Sequence, residues 1–201
     1  DAIKLLMVII YFYAGLAKIN SDWLFKALPL KIWMPSKYDI PLIGETLLQQ
    51  DWVHYAMSWG GMLYDLSIPF LLFYRKTRLF GFAMVVFFHV FTAVLFPIGM
   101  FPYIMIVSAL IFFEGETHDK IVTLLKKIIQ PLRSMVEVSF IENVNHFNYK
   151  RPKWVLWTLA IFFAIQMVVP FRYVLYPSEL FWAEEGYRFS WRVMLVEKIG
   201  Y

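Results

Sequence analysis

Three ionisable side chains stand where this sequence is otherwise apolar, and their chemistry is the natural place to begin. Lys18 closes the run 2–17, whose only other charge is Lys4, and Asp22 follows four residues later. Asp65 is the lone acid of the run 52–74, and His89 lies inside 79–113, which holds no Lys, Arg, Asp or Glu. If those runs are membrane helices, Asp65 and His89 both sit roughly 14 Å deep, at matching levels of an antiparallel hairpin. A carboxylate at that depth is costly unless it pairs or is protonated, and His89 is its natural partner. One reading is a proton relay or a cofactor contact; the other is a structural pair, or two groups satisfied separately by backbone and water. Lys18 also has two readings. It is a lysine snorkelling from a helix end, or one tucked under the segment 18–50, where lost hydration favours a neutral amine able to act as a base. His54 reads as an interfacial histidine near the outer end of its helix.

Several other chemistries are missing. The sequence has no phosphate-cradling glycine loop, no H-E-x-x-H zinc helix and no G-x-S-x-G elbow. With no cysteine, it can form no disulfide, thiolate metal site or Cys nucleophile. His118 and His146 lie in loops far from the other histidines, so no metal centre is expected.

The elements that must position these groups are membrane helices. Hydrophobic residues make up 60% of the chain and charged residues 17%, against about 45–50% and about 25% for a soluble domain. The 8 Trp and 12 Tyr cluster near the ends of apolar runs, as interfacial belts do. The periodicity predicts an all-α polytopic bundle of about five helices, over 2–17, 52–74, 79–96, 98–113 and 154–171. The turn 96–102, Phe-Pro-Ile-Gly-Met-Phe-Pro, separates the third from the fourth. Residues 18–50 carry Pro29, Pro35 and Pro41 with Trp23, Trp33 and Tyr38, a composition suited to short pieces along the interface. Residues 117–133 set Ile121, Val122, Leu124, Leu125, Ile128 and Ile129 against Lys120, Lys126 and Lys127, the pattern of a helix lying in the headgroups. The chain divides into a transmembrane part, 1–171, expected to be incomplete at its start, and an outer segment, 172–201. In that segment the alternation at 187–192 could begin a strand of a β-rich domain.

Charge orients the whole. The net charge of +4 comes from Lys and Arg in short loops, which favours anionic lipid over nucleic acid as the partner. Arg75, Lys76 and Arg78 lie in one loop; Lys120, Lys126, Lys127, Arg133, Lys150, Arg151 and Lys153 lie in another. Two helices separate those loops, so both fall on one face, which the positive-inside rule makes cytoplasmic. Residues 18–50, the 97–102 turn and 172–201 then converge on the extracytoplasmic face.

At Tyr11-Phe12-Tyr13-Ala14-Gly15-Leu16-Ala17-Lys18-Ile19-Asn20-Ser21-Asp22-Trp23 the chain resembles the vitamin K-dependent gamma-carboxylase family, which carries Y-F-x-A-G-x-x-K-x-x-x-D-W at the end of a membrane helix. Three further blocks are similar and stand in the same order: Tyr64-Asp65-Leu66-Ser67 with Phe70-Leu71-Leu72-Phe73; Phe88-His89 leading to Leu95-Phe96-Pro97-Ile98-Gly99-Met100-Phe101; and Tyr187-Arg188-Phe189-Ser190-Trp191. The resemblance implies an enzyme that oxygenates reduced vitamin K (the hydroquinone) with O2, needing no metal. The strong base so formed takes a proton from the γ-carbon of a peptide glutamate, which CO2 then carboxylates. It places the base that deprotonates the hydroquinone on Lys18. Contacts to the quinol fall on His89, Asp65, Trp23 and Met100, and contacts to the peptide or protein substrate on Tyr187, Ser190 and Trp191. The chain departs from the family in two respects. Ala17 stands where animal members have a second Lys, and the family's upstream His–Asn pair and following outer domain are not in this sequence. Its Ile- and Phe-rich style resembles bacterial relatives. The alternative is a non-catalytic membrane protein that binds or matures a peptide partner on the same frame. A transporter would need an inverted repeat, and none is visible.

Overall fold

The computed structural model describes residues 1–37, 39–133, 152–178, 180 and 185–192, with the backbone alone over 128–133. Tyr38, His146, Lys150 and Arg151 lie outside the described residues. Every regular element described is helical. In chain order these are α1 (Ala2–Ala17), α2 (Ser21–Lys26), α3 (Leu30–Trp33), α4 (Asp51–Phe73), α5 (Arg78–Leu95), α6 (Phe101–Ala109), α7 (Gly115–Arg133) and α8 (Lys153–Val168). Single 3-10 turns follow α3, at Pro35–Lys37, and α6, at Leu110–Phe112; a longer one, Val169–Leu175, continues α8.

Two helical stretches are long and apolar enough to cross a membrane, Arg78–Leu95 and Lys153–Leu175; Ala2–Ala17 and Phe101–Phe112 are apolar but shorter. α4 has the length, but His54, Ser58, Gly60, Gly61 and Asp65 dilute its hydropathy. The fourth helix begins at Phe101 rather than 98, because Gly99 takes φ +61 and ends the extended turn that Pro97 imposes.

α1, α4, α5 and α6 run alternately up and down and share two apolar cores. Met7, Tyr11, Tyr64, Ile68, Leu72, Val85, Met105 and Phe112 fill the one nearer the Arg75–Arg78 loop. Ala17, Trp23, Leu24, Leu30, Met34, Leu48, Met62, Leu95 and Phe96 fill the other, which binds the 18–50 segment to the C-terminal end of α1. That segment is held by polar contacts as well. Asn20 caps α2 by accepting from the Trp23 backbone N–H at 2.9 Å. Trp23 Nε1 donates to the Ser58 carbonyl at 2.7 Å while Ser58 Oγ donates back to the Trp23 carbonyl. Trp59 Nε1 donates to the Leu24 carbonyl at 3.0 Å. His54 is buried, with Nε2 at 2.8 Å from the Leu48 carbonyl, because the segment folds over it.

At the opposite pole Arg75 and Arg78 both reach Glu114, each at 3.3 Å, and α7 departs from there with Val122, Leu124 and Leu125 exposed. α8 touches the bundle at its far end, where Tyr13 Oη donates to the Met167 carbonyl at 2.7 Å and the Tyr13 and Phe171 rings meet edge to face.

The expected strand at 187–192 is absent from the described residues. Phe189 and Trp191 adopt φ of 60° and 55°, the left-handed region that a strand cannot contain, and Ser190 Oγ donates to the Tyr187 carbonyl to close a turn. Alternation of aromatic and polar types misled here because only three aromatic positions, Tyr187, Phe189 and Trp191, alternate, too few to define a face.

Candidate functional site

Lys18 occupies the C-cap of α1, a position from which a long side chain ordinarily reaches water. Instead it is 7% exposed and curls back along its own helix. Its Nζ donates to the Ala14 carbonyl at 3.3 Å and lies 2.6 Å from Asp65 Oδ2. The Trp23 ring covers it, with 5.5 Å between Nζ and the ring centroid. Asp65 is 5% exposed. It sits four residues before Pro69, which has no N–H to give the Asp65 carbonyl, so the α4 backbone is loosened where the carboxylate must be aimed.

The expected partnership of Asp65 with His89 does not form. Depth was matched, but helix rotation turns Asp65 toward α1, and His89 finds Tyr11 instead, with Tyr11 Oη at 3.1 Å from His89 Nε2. Tyr11 is 2% exposed and His89 3%. The other imidazole nitrogen, Nδ1, is buried and has no hydrogen-bond partner among the described residues. Around this pair the packing is aromatic: Tyr64 stacks on Phe88 at 3.9 Å between centroids, and Phe101 meets the His89 ring edge-on.

Both polar pairs line one cavity, whose empty space together with the open solvent at its mouth is about 770 Å³. Lys18, Asp65, His89 and Trp23 all line it, so four of the expected residues are brought together. Met100 is not among them. It is 69% exposed, and its neighbours Ile98 and Phe101 face the cavity instead. Sequence reading missed Tyr11, Trp33 and Thr92, which also line it. Tyr11 was recoverable, since Tyr11, Ala14 and Lys18 fall at i, i+3 and i+7 on one face of α1.

The substrate-side expectations fall elsewhere. Ser190 is buried in a second, smaller cleft with Tyr13, Leu16, Ala17, Phe171, Tyr173 and Arg192, on a different face of α1. The Arg192 guanidinium lies 4.7 Å from the Tyr173 ring centroid. Trp191 Nε1 is buried without a partner among the described residues. Three His, Asp or Glu side chains do not converge anywhere among the described residues.

Chemically, the larger cavity is lined mostly by aromatic, aliphatic and methionine side chains, with an amine–carboxylate pair at one place and a tyrosine–imidazole pair at another. An aromatic ligand with hydroxyl or carbonyl oxygens fits that composition. No solved structure matches the chain. Two family models do: the HTTM domain, a membrane domain, matches residues 1–116, and the lumenal domain of vitamin K-dependent gamma-carboxylase matches residues 151–201. The first covers more than half of the chain and ends just past α6, the last helix of the site, and the second includes the Ser190 turn. The chain therefore belongs to the vitamin K-dependent gamma-carboxylase family, with its buried lysine inside the HTTM domain.

Proposed function

We propose that this chain is the membrane core of a quinol-dependent epoxidase and carboxylase, with Lys18 as the base. The observation that carries the proposal is a lysine 7% exposed, 2.6 Å from Asp65 and lining a cavity walled by aromatic rings. The residues present fit reduced vitamin K: Trp23, Trp33, Phe88, Phe96 and Phe101 suit its ring system, and Lys18 suits a ring oxygen. When bound, that quinol with O2 would supply the strong base that prepares a peptide glutamate for carboxylation by CO2. Once its proton has passed along the 2.6 Å contact to Asp65, Lys18 Nζ is a neutral amine that accepts a proton from a hydroxyl held within hydrogen-bond reach. Asp65 holds the amine in place through that contact, and the Trp23 ring covers it. No metal takes part.

In the membrane, α1, α4, α5, α6 and α8 form five spans, with 1–171 as the embedded part. The cavity lies toward the extracytoplasmic end, where a lipid-soluble quinol can enter sideways. A peptide substrate comes from that same side, and the second cleft, which Ser190 lines, receives it, with Tyr187 and Trp191 in the same turn.

The test is the full-length protein reconstituted in lipid nanodiscs with vitamin K hydroquinone and O2, followed by chromatographic detection of the epoxide. Lys18→Ala should lower epoxide formation by roughly 10²–10⁴-fold with membrane insertion unchanged. Wild-type epoxide yield from that variant would overturn the assignment and leave a peptide-binding membrane protein as the better reading.

A further inference from the structure

We propose that Gly61 is a specificity-determining position: the space it leaves on the cavity wall takes one edge of the ligand, so that a fused two-ring hydroquinone can reach Lys18. This rests on the quinol reading above and adds which ring size the site takes. Among the described residues, three glycines are buried inside helices: Gly15 in α1, Gly61 in α4 and Gly81 in α5. A glycine in a helix interior costs stability relative to alanine, so each calls for a reason. Close packing supplies it twice. A Cβ at Gly15 would lie 2.7 Å from the Leu66 side chain, and one at Gly81 would lie 3.0 Å from Leu71 Cβ and 3.2 Å from the Leu71 carbonyl carbon. Gly61 differs. Among the described residues, a Cβ there would meet one atom within 4 Å, Trp23 Cζ2, at an ordinary contact distance of 3.9 Å. No neighbour requires the glycine, and the side chain it lacks is open space beside the Trp23 ring.

That space belongs to the cavity. α4 lines it with Met57, Gly61 and Asp65, at i, i+4 and i+8 on one face, so a side chain at 61 would stand between the thioether and the carboxylate. Lys18 Nζ lies 5.5 Å from the centroid of the same Trp23 ring, so Gly61 and the amine adjoin one wall. The wall is fixed. Trp23 Nε1 donates to the Ser58 carbonyl at 2.7 Å, and Ser58 Oγ donates to the Trp23 carbonyl. A group added at 61 therefore takes its volume from the ligand instead of moving the indole. A one-ring hydroquinone with an oxygen at Lys18 leaves the space beside Gly61 unused, whereas the second ring of a fused hydroquinone fills it.

The experiment compares menadiol, with two fused rings, and trimethylhydroquinone, with one, under anaerobic conditions. Binding to the full-length protein in nanodiscs is read by quenching of tryptophan fluorescence, since Trp23 and Trp33 line the cavity. Wild type should bind both. Gly61→Val should weaken menadiol roughly tenfold or more, the effect of overfilling a packed site, and leave the one-ring affinity unchanged. Gly61→Ala should weaken menadiol less, and should keep or raise the thermal midpoint because the added methyl clashes with nothing. Gly60→Val, at an exposed position of the same helix with nothing within 4 Å, should leave both affinities unchanged. The gauge is overturned by a wild type that binds only the one-ring probe, by equal weakening of both probes or none in Gly61→Val, by the same menadiol loss in Gly60→Val, or by a lowered midpoint in Gly61→Ala. If Lys18→Ala still abolishes epoxide formation, those results leave the base assignment standing. A wild type that binds neither probe overturns both proposals.

Discussion

The Lys18–Asp65 pair is the residue-scale commitment of this protein, because each partner makes the other tolerable at its depth. Removing one leaves an unpaired buried charge, a loss of about 3–5 kcal/mol in soluble proteins. Asp65→Leu should therefore lower the thermal midpoint in detergent sharply. Asp65→Asn, which still accepts from the Lys18 amine, should lower it less. The double variant Lys18→Met/Asp65→Leu removes both charges and should recover most of what Asp65→Leu loses. A double variant no more stable than the single one would mean that the ion pair is not what Asp65 contributes. The sequence made the three unusual residues legible through their isolation in apolar runs, but it paired Asp65 with His89 when each has a different partner. Depth follows from counting residues; the face a helix turns to its neighbour does not, when apolar residues ring the whole helix. The i, i+3, i+7 relation of Tyr11, Ala14 and Lys18 held the missing information, since it already places two polar groups on one face of α1.

At the scale of elements, the site depends on how closely α1 and α4 approach. Gly15 is where they meet. A Cβ there would lie 2.7 Å from Leu66 Cγ and Cδ2 and 3.1 Å from the Leu66 backbone nitrogen, which cannot move without shifting α4. Gly15→Ala should push the helices apart, destabilise by about 1–3 kcal/mol and lengthen the contact between Lys18 and its neighbour on Asp65's helix. Gly60, also in α4, has nothing within 4 Å of the same added atom. Gly60→Ala should leave stability unchanged or raise it by about 0.5–1 kcal/mol through helix propensity. Thermal unfolding of the two variants side by side checks the contrast, and equal losses would refute the close-approach argument. Helix limits were readable from composition to within a few residues: 2–17 and 79–96 fall on α1 and α5 almost residue for residue. The turn at 187–192 was not readable. Its left-handed Phe189 and Trp191 are bulky residues that no local propensity favours there, so tertiary packing around Ser190 decides the backbone.

The whole molecule is polarised. The buried lysine, the 18–50 segment and the Ser190 turn gather at the C-terminal end of α1, whereas Arg75, Arg78, Glu114 and α7 gather at the other end. In the topology proposed above, positive charge puts the second group in the cytoplasm, and four alternating crossings after residue 50 bring 18–50 and 185–192 to one side. The sequence holds no cysteine, so single cysteines report sidedness without background. Glu45, Lys76 and Arg188 are exposed positions, one in each relevant segment. Glu45→Cys and Arg188→Cys should react with a membrane-impermeant maleimide added outside intact cells, while Lys76→Cys should react only after the membrane is opened. Joint labelling of 45 and 188 requires an even number of crossings between them, which α4, α5, α6 and α8 supply. If 45 and 188 were labelled from opposite sides, one of those four helices would not span. The second cleft could then not share a compartment with the end of α1 that carries Lys18, and a peptide glutamate could not reach a quinol held at Lys18.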